Sequence, residues 1–540
     1  MRLRQYRDGV LWETEASGAD MPHYDVIAAG LGTAGSVAAI TAARQGLSVL
    51  GLEQLPAMGG QGALGYVLPY YFGGSGGLYE ELDETIRRQM EQGFAECVGF
   101  HPDCRLQVLE EEARKAGAEI CCSARMTGVY LEGKTVRGLQ WLKEGRLFSA
   151  LSDVVIDCTG EAQVCVLCGC ETQRGRESDG RCQPFSLPMT TYYEGKLHGQ
   201  FVDSGFLDDP SPEGYSRALS GTMTGPMYLR DPFDPIDRVI AYSPRLGIRE
   251  GRRIVGEENL RLRDYLEDAL PGEALFYACA NLDKHGSDYG EESLELQEWC
   301  CIGKMWDVRL AIPVPLGALI PKGYDGLLAA GRHLAVDHDL ASAVRMKRDM
   351  QKCGEAAALA AAEAIRSGCR LKEIDVQALR AALLKSGCLD PAPVQMKRIR
   401  SREDSENPRM DWLTDPGAIQ AGLLSEAPGL ALFSLRRMGK KGAALLQGWS
   451  RQAPLREICA LGLGMMGLPE ALPQLRKMAF SRGDLYTVSS ALCLLRRLGE
   501  RSDLPALRTL AEQGGSSASY AGAAIRSIES RGSSEKGGDF

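Results

Sequence analysis

At 540 residues the chain is too long for one ordinary hydrophobic core, so about two to four domains are expected. Charged residues at 25% and apolar ones at 44% exclude a largely disordered chain, and no stretch approaches the roughly 20 apolar residues needed to cross a bilayer. Sixty-two basic residues against 71 acidic ones leave a net charge of −9, which favours solubility and argues against a nucleic-acid surface.

Residues 1–22 read as an extension. Their start is basic, but they lack the apolar core of a signal peptide, so a cytoplasmic protein is expected. In that reducing compartment the 17 cysteines read as free, mostly buried thiols. The adjacent pairs Cys121/Cys122 and Cys300/Cys301 read as packing residues. Cys165, Cys168 and Cys170 have metal-motif spacing but no second cluster and no nearby histidine, so no metal site is expected.

The run Tyr24 to Ala29 has the character of a buried parallel strand. Gly30-Leu31-Gly32-Thr33-Ala34-Gly35 follows, then a helix pattern rich in small residues, then a second apolar strand from Leu47 to Leu52 that ends at Glu53. Strand, glycine turn, helix, strand and acid in this order form a dinucleotide-binding fingerprint. Gly30 permits the tight turn, Gly32 lets the backbone approach a pyrophosphate, and Gly35 lets the helix pack closely on the strand. The N–H groups at the helix start, around Thr33 and Ala34, face the phosphate charge, and Glu53 can accept hydrogen bonds from an adenosine ribose. The turn alone does not separate FAD from NAD. The loop Met58-Gly59-Gly60-Gln61-Gly62 favours FAD, because it is placed to run beside a long extended cofactor.

From about 100 to 156 a helix pattern gives way to strand-like segments, and the strand around Met126 can edge the adenine. The first part of the cofactor domain is thus set at 23–171. From 172 to 305 the composition turns to Pro, Asp, Tyr and Trp, which reads as a substrate or cap domain. Within it Arg249, Arg252 and Arg253 are placed on one face of a helix, where they can hold an anion or brace two domains. His285 reads as a surface histidine or one near the pocket mouth. Prolines 313, 315 and 321 mark the return to the cofactor domain, set at 306–370.

A late apolar strand ends at Gly331-Arg332 and leads to a small-residue helix containing Gly354. Two of the six histidines, His333 and His338, lie between them. His338 is the first choice for a general acid/base, with Asp337 or Asp339 orienting it, and His333 the second; a fixed cofactor contact is the alternative for either. Arg345 can offset negative charge at a cofactor ring, bind a substrate anion, or pair with Asp339 or Asp349.

Residues 371–415 read as a helical linker. From 416 to 530, ALFSLRRMG, ALGLGMMG and ALCLLRRLG recur about 30 residues apart, each followed by a second apolar helix, the pattern of HEAT-like repeats. Residues 531–540 read as a disordered tail.

Four stretches, residues 30–35 with Glu53 and 58–62, 154–169, 246–260 and 327–361, resemble the FAD-dependent oxidoreductases distantly related to fumarate reductase and the thiazole-biosynthesis flavoproteins. The resemblance implies an α/β, Rossmann-like FAD-binding fold (GR2 type) with an inserted α+β cap and a C-terminal all-α repeat region. It implies non-covalent FAD, with Thr159 and Gly160 passing near it. Gly331, Arg332, Asp337 and Gly354 join the expected cofactor contacts. The chain lacks a cysteine pair between Gly60 and Phe94 and a second glycine fingerprint, so direct nicotinamide use and disulfide reduction lose ground. The expected reaction is hydride transfer between flavin N5 and a small polar metabolite, an anionic one matching the arginines best. The alternative is an electron-relay or assembly subunit that docks a redox protein, or a second copy, through its C-terminal helices.

Overall fold

The computed structural model describes residues 1–7, 10–94, 96–203, 205–209, 211–224, 238–270, 273–286, 288–398 and 409–534. Its centre is a nine-stranded sheet. The strands are β1 (Arg2–Arg7), β2 (Val10–Glu15), β3 (His23–Ala29), β4 (Val49–Leu52), β5 (Glu119–Cys121), β6 (Arg125–Glu132), β7 (Thr135–Lys143), β8 (Arg146–Asp157) and, later in the chain, Leu327–Ala329.

Leu327–Ala329, β8, β3, β4 and β5 run parallel in that order, with Ile27 beside Val155 and Val26 beside Val49. Val26 to Ala29 and Val49 to Leu52 are buried without interruption, as expected of strands covered on both faces. β8 spans 12 residues and serves two purposes. Its second half joins the parallel set, while its first half pairs antiparallel with β7, which continues to β6 and β1.

The expected extension is therefore built into the sheet. β1 and β2 pair antiparallel, and β1 pairs in turn with β6, Arg2 opposite Leu131 and Gln5 opposite Gly128. Alternation along these two strands is weak, which hid them from the sequence pattern.

Helix α1 (Thr33–Arg44) packs on the sheet and along the 21-residue helix Lys347–Ser367. The two cross at Gly354, where a Cβ would stand 2.1 Å from the carbonyl oxygen of Ala34. Gly354 thus makes a helix crossing, in place of the expected cofactor contact.

The inserted segment carries β9 (Thr172–Arg174), β10 (Ser186–Tyr193), β11 (Lys196–Asp203), β12 (Arg238–Tyr242), β13 (Arg252–Ile254) and β14 (Ala274–Ala280). β15 (Val308–Pro315) pairs with β14, with Pro313 opposite Tyr277. Late strand Leu327–Ala329 is β16. The helix expected over the Arg249–Arg253 run does not form. Arg252 and Arg253 lie on β13, paired with Arg174 and Gln173 of β9. A strand repeats every two residues, so Arg252 is exposed and Arg253 is buried.

Beyond Pro416 the described chain is a succession of helices, from Pro416–Leu423 to Ala518–Ser534. The last of these runs into the expected tail, whose residues 535–540 lie outside the described set, as do 399–408 of the expected linker. The helices dock on residues 298–302: Tyr486 donates to the Ile302 carbonyl at 2.8 Å, and Arg436 and Arg497 reach the buried Glu298 at 2.8 and 2.7 Å.

Candidate functional site

The glycine turn follows β3. Gly30 has φ +87°, and a Cβ on Gly35 would lie 1.8 Å from the Gly30 carbonyl oxygen, so both glycines serve the turn and its packing. Gly32 differs: its Cβ would meet only Gly60 Cα, at 3.9 Å. It faces open space at the start of α1. No side chain caps that helix, which leaves the N–H groups of Thr33 and Ala34 available to an anion.

The 58–62 loop folds against this turn, its Gly59 N–H donating to the Leu31 carbonyl at 2.8 Å. Gln61 Oε1 is buried there without a hydrogen-bond partner among the described residues. Glu53, at the end of β4, is 5% exposed and accepts from the N–H groups of Leu31 at 2.7 Å and Leu55 at 2.9 Å. Burial raises the pKa of its carboxyl, opposed by these backbone donors.

A cleft of about 660 Å³ opens beside Glu53. Leu55, Met126, Val166 and Leu167 supply its apolar walls, Tyr6 comes from β1, and Arg245 from the inserted segment. An uncapped helix start, a glycine cradle, a buried acid and an apolar-walled cleft in sequence fit an adenine dinucleotide. Arg252, expected to hold an anion or brace two domains, lines this same cleft.

Asp157 closes β8. It is fully buried and accepts from the Thr159 N–H at 3.0 Å, the Thr159 hydroxyl at 2.7 Å and the Cys165 N–H at 3.0 Å. This fixes the Thr159-Gly160 turn. Arg332 donates through Nε to the Gly160 carbonyl at 2.9 Å and pairs with Glu161, so it ties the ends of β8 and β16 together. Gly331, at φ +142°, turns the chain there.

His333 is fully buried, with Nε2 3.1 Å from the Asp157 carbonyl, and burial lowers its pKa. A substrate cannot reach it, which removes it from the catalytic set. Asp337 is likewise committed: its two oxygens accept from the Leu340 and Leu262 N–H groups, each at 2.8 Å, so it caps a helix rather than touching a cofactor.

His338 begins the helix His338–Val344. Neither expected aspartate orients it. Nδ1 faces Glu250 at 2.8 Å and Nε2 faces Glu292 at 2.9 Å. Asp339 instead accepts from Ser293 at 2.5 Å, and burial together with repulsion from Asp337 raises its pKa to about 8. Among the described residues, Glu292, His338 and Asp339 bring three possible metal-ligating atoms within 4.8 Å of one another. Arg176 and Lys284 already pair with Glu292, at 2.8 and 3.1 Å, so the group is built as an ion network.

Arg345 follows the same short helix. Its Nη2 donates to Asp283 at 2.8 Å, replacing the expected partners Asp339 and Asp349, while Nε is buried without a partner among the described residues. Burial lowers its pKa to about 10, with Asp283 opposing and Arg249 and Arg332 adding repulsion. His285 Nε2 stands 3.3 Å from the same carboxylate. Arg249 donates to the Pro184 carbonyl at 2.7 Å and also adds to the field on Asp283. Burial pushes Asp283 up, but Arg345, His285 and Arg249 outweigh it and hold it well below the usual carboxylate range. Asp283, Glu250 and Glu292 were missed from sequence; only their nearness to His285 and to the Arg249 run offered a signal.

The family model for FAD dependent oxidoreductases matches residues 25–220 and 228–383, more than half of the chain. Digeranylgeranylglycerophospholipid reductase 1 of Methanococcoides burtonii is 31% identical over 161 residues, 25% of this chain and 38% of that protein. A digeranylgeranylglycerophospholipid reductase of Methanocella arvoryzae is 29% identical over 186 residues, 30% of this chain and 46% of its own. The chain therefore spans less than half the length of the curated relatives it matches. Among solved structures, a geranylgeranyl bacteriochlorophyll reductase-like protein of Thermoplasma acidophilum is 15% identical, with a TM-score of 0.35 over 68% of this chain and 83% of its own. The flavin-dependent brominase Bmp2 is 14% identical, with a TM-score of 0.33 over 81% and 93%.

Proposed function

Since the chain belongs to the FAD dependent oxidoreductase family, we propose that it moves hydride between FAD and a small anionic metabolite held by Arg345 and Arg249. Bound FAD supplies the two-electron hydride donor and acceptor. The chain's own residues bind, orient and shield. The turn at residues 30–35, Glu53 and the loop at 59–61 would hold the cofactor. Arg332, locked between the ends of β8 and β16, keeps the Thr159-Gly160 turn in place beside it.

The observation that carries the substrate class is the Arg345 guanidinium. It is half-buried, its pKa is lowered to about 10, and it shares the carboxylate of Asp283 with His285 while Arg249 and Arg332 add positive field. A substrate carboxylate or phosphate would relieve that charge and be oriented by it. His285 is the better proton-handling group of the two histidines, because it is partly exposed while His338 is enclosed by Glu250 and Glu292. The C-terminal helices, read as HEAT-like repeats, brace this side of the site.

The test is anaerobic. Candidate metabolites are added to the oxidised holoenzyme and flavin absorbance is followed. Bleaching by a small organic acid or phosphate ester, with KM raised at least tenfold in Arg345→Gln, supports the reading. Reaction with neutral prenyl lipids alone would overturn the anionic substrate, and electron exchange only with a redox protein would favour a relay.

A further inference from the structure

Arg245 belongs to the inserted segment, yet it lines the nucleotide cleft with Leu55 and Met126. Its guanidinium has no hydrogen bond or ion pair among the described residues, although it is only partly exposed. Desolvation disfavours its charge, and the charged groups that act on it include Glu53, Arg332 and Glu161. The sheet order places these groups. Glu53 follows β4, Glu161 follows β8 and Arg332 follows β16, while β3 lies between β8 and β4. A side chain within the field of all three lies near the carboxyl ends of β4, β8 and β16, on the side of the sheet where the glycine turn delivers the start of α1. The backbone of Arg245 is held for this position, its N–H donating to Ser243 Oγ at 3.1 Å and its carbonyl accepting from that hydroxyl at 2.8 Å.

We propose that Arg245 is a clasp on the diphosphate of the cofactor, reaching across from the inserted segment to meet the anion from the side opposite the α1 N-terminus. The dinucleotide fingerprint supplies backbone N–H groups and a helix dipole but no cation. A guanidinium supplies the missing charge and a forked pair of donors, and it makes cofactor binding a joint property of the two parts of the chain. The inference rests on the cofactor and not on the substrate reading.

The experiment uses the full-length chain stripped of flavin, titrated calorimetrically with FAD, ADP and adenosine. Arg245→Gln should weaken FAD and ADP on the order of tenfold or more while adenosine changes less than about twofold, and Arg245→Lys should recover part of the loss. Added salt should weaken ADP more in the wild type than in Arg245→Gln. Unchanged ADP affinity in Arg245→Gln overturns the clasp. Equal loss of ADP and adenosine, with an unchanged melting temperature, also overturns it by assigning Arg245 to the shape of the cleft. If the wild type binds none of the three, the cofactor assignment itself falls, and the clasp with it.

Discussion

Gly354 and Ala34 touch backbone to backbone, with only 2.1 Å left between a Cβ on the first and the carbonyl oxygen of the second. This contact lets the helix Lys347–Ser367 lie directly on α1, whose first turn forms the nucleotide cradle. Gly354→Val must push the two helices apart. We expect a loss of at least about 1–3 kcal/mol of stability by urea unfolding, together with reduced flavin content. An unchanged urea midpoint would refute the close crossing.

Gly32 and Gly35 should respond in opposite ways. Gly32 has open space in front of it, whereas a Cβ on Gly35 would lie 1.8 Å from the Gly30 carbonyl oxygen. Gly32→Glu should therefore fold with a normal far-ultraviolet spectrum yet purify colourless, since its carboxylate occupies the anion cradle. Gly35→Val should fail to fold. A yellow Gly32→Glu protein would move the pyrophosphate elsewhere.

Arg105 is buried beneath the 58–62 loop and pairs with Asp83 at 3.0 Å, with side chains only 5% and 3% exposed. Tyr70 accepts from the same guanidinium at 3.2 Å. Asp83→Asn would leave a buried cation without its counter-charge, at a cost of about 3–5 kcal/mol. Adding Arg105→Met should restore much of that loss in a double-mutant cycle. A loss below about 1 kcal/mol for Asp83→Asn would show that water reaches the pair.

Glu292 makes stability depend on pH. Burial raises its carboxyl, but His338, Lys284 and Arg176 outweigh burial and hold it at about 2, against 4.5 when exposed. Below pH 4.5 the unfolded chain takes up a proton that the folded chain refuses, so the contribution is complete above that value and disappears as pH falls toward 2. It is on the order of 3 kcal/mol. Glu292→Gln should show a shallower fall in unfolding free energy across this range. Parallel curves for the two proteins would mean that the ion network does not depress the carboxylate.

The geometry of the glycine turn and the acid beside it was legible in sequence because each of its parts is local. Gly30, Gly32 and Gly35 are set by the geometry of one turn, and Glu53 by the end of the next strand. The charged centre was not legible. His338 meets Glu250 and Glu292, residues 88 and 46 positions away, and Arg345 meets Asp283 across 62 positions. The nearby aspartates that seemed suitable partners by spacing are spent on capping a helix and on Ser293. The Arg249–Arg253 run misled for a related reason: its charges suggest a helix face, but pairing with β9 turned Arg252 and Arg253 to opposite sides.

Sequence alone determined that this chain folds around a dinucleotide, because strand, turn and helix are specified by short-range sterics and hydrophobic period. Tertiary structure alone decided which acids face which cations, and that Arg245 and Tyr6 line one cleft from two distant parts of the chain. Coulomb interactions and hydrogen bonds depend on distance in space, and distance along the chain carries no record of it.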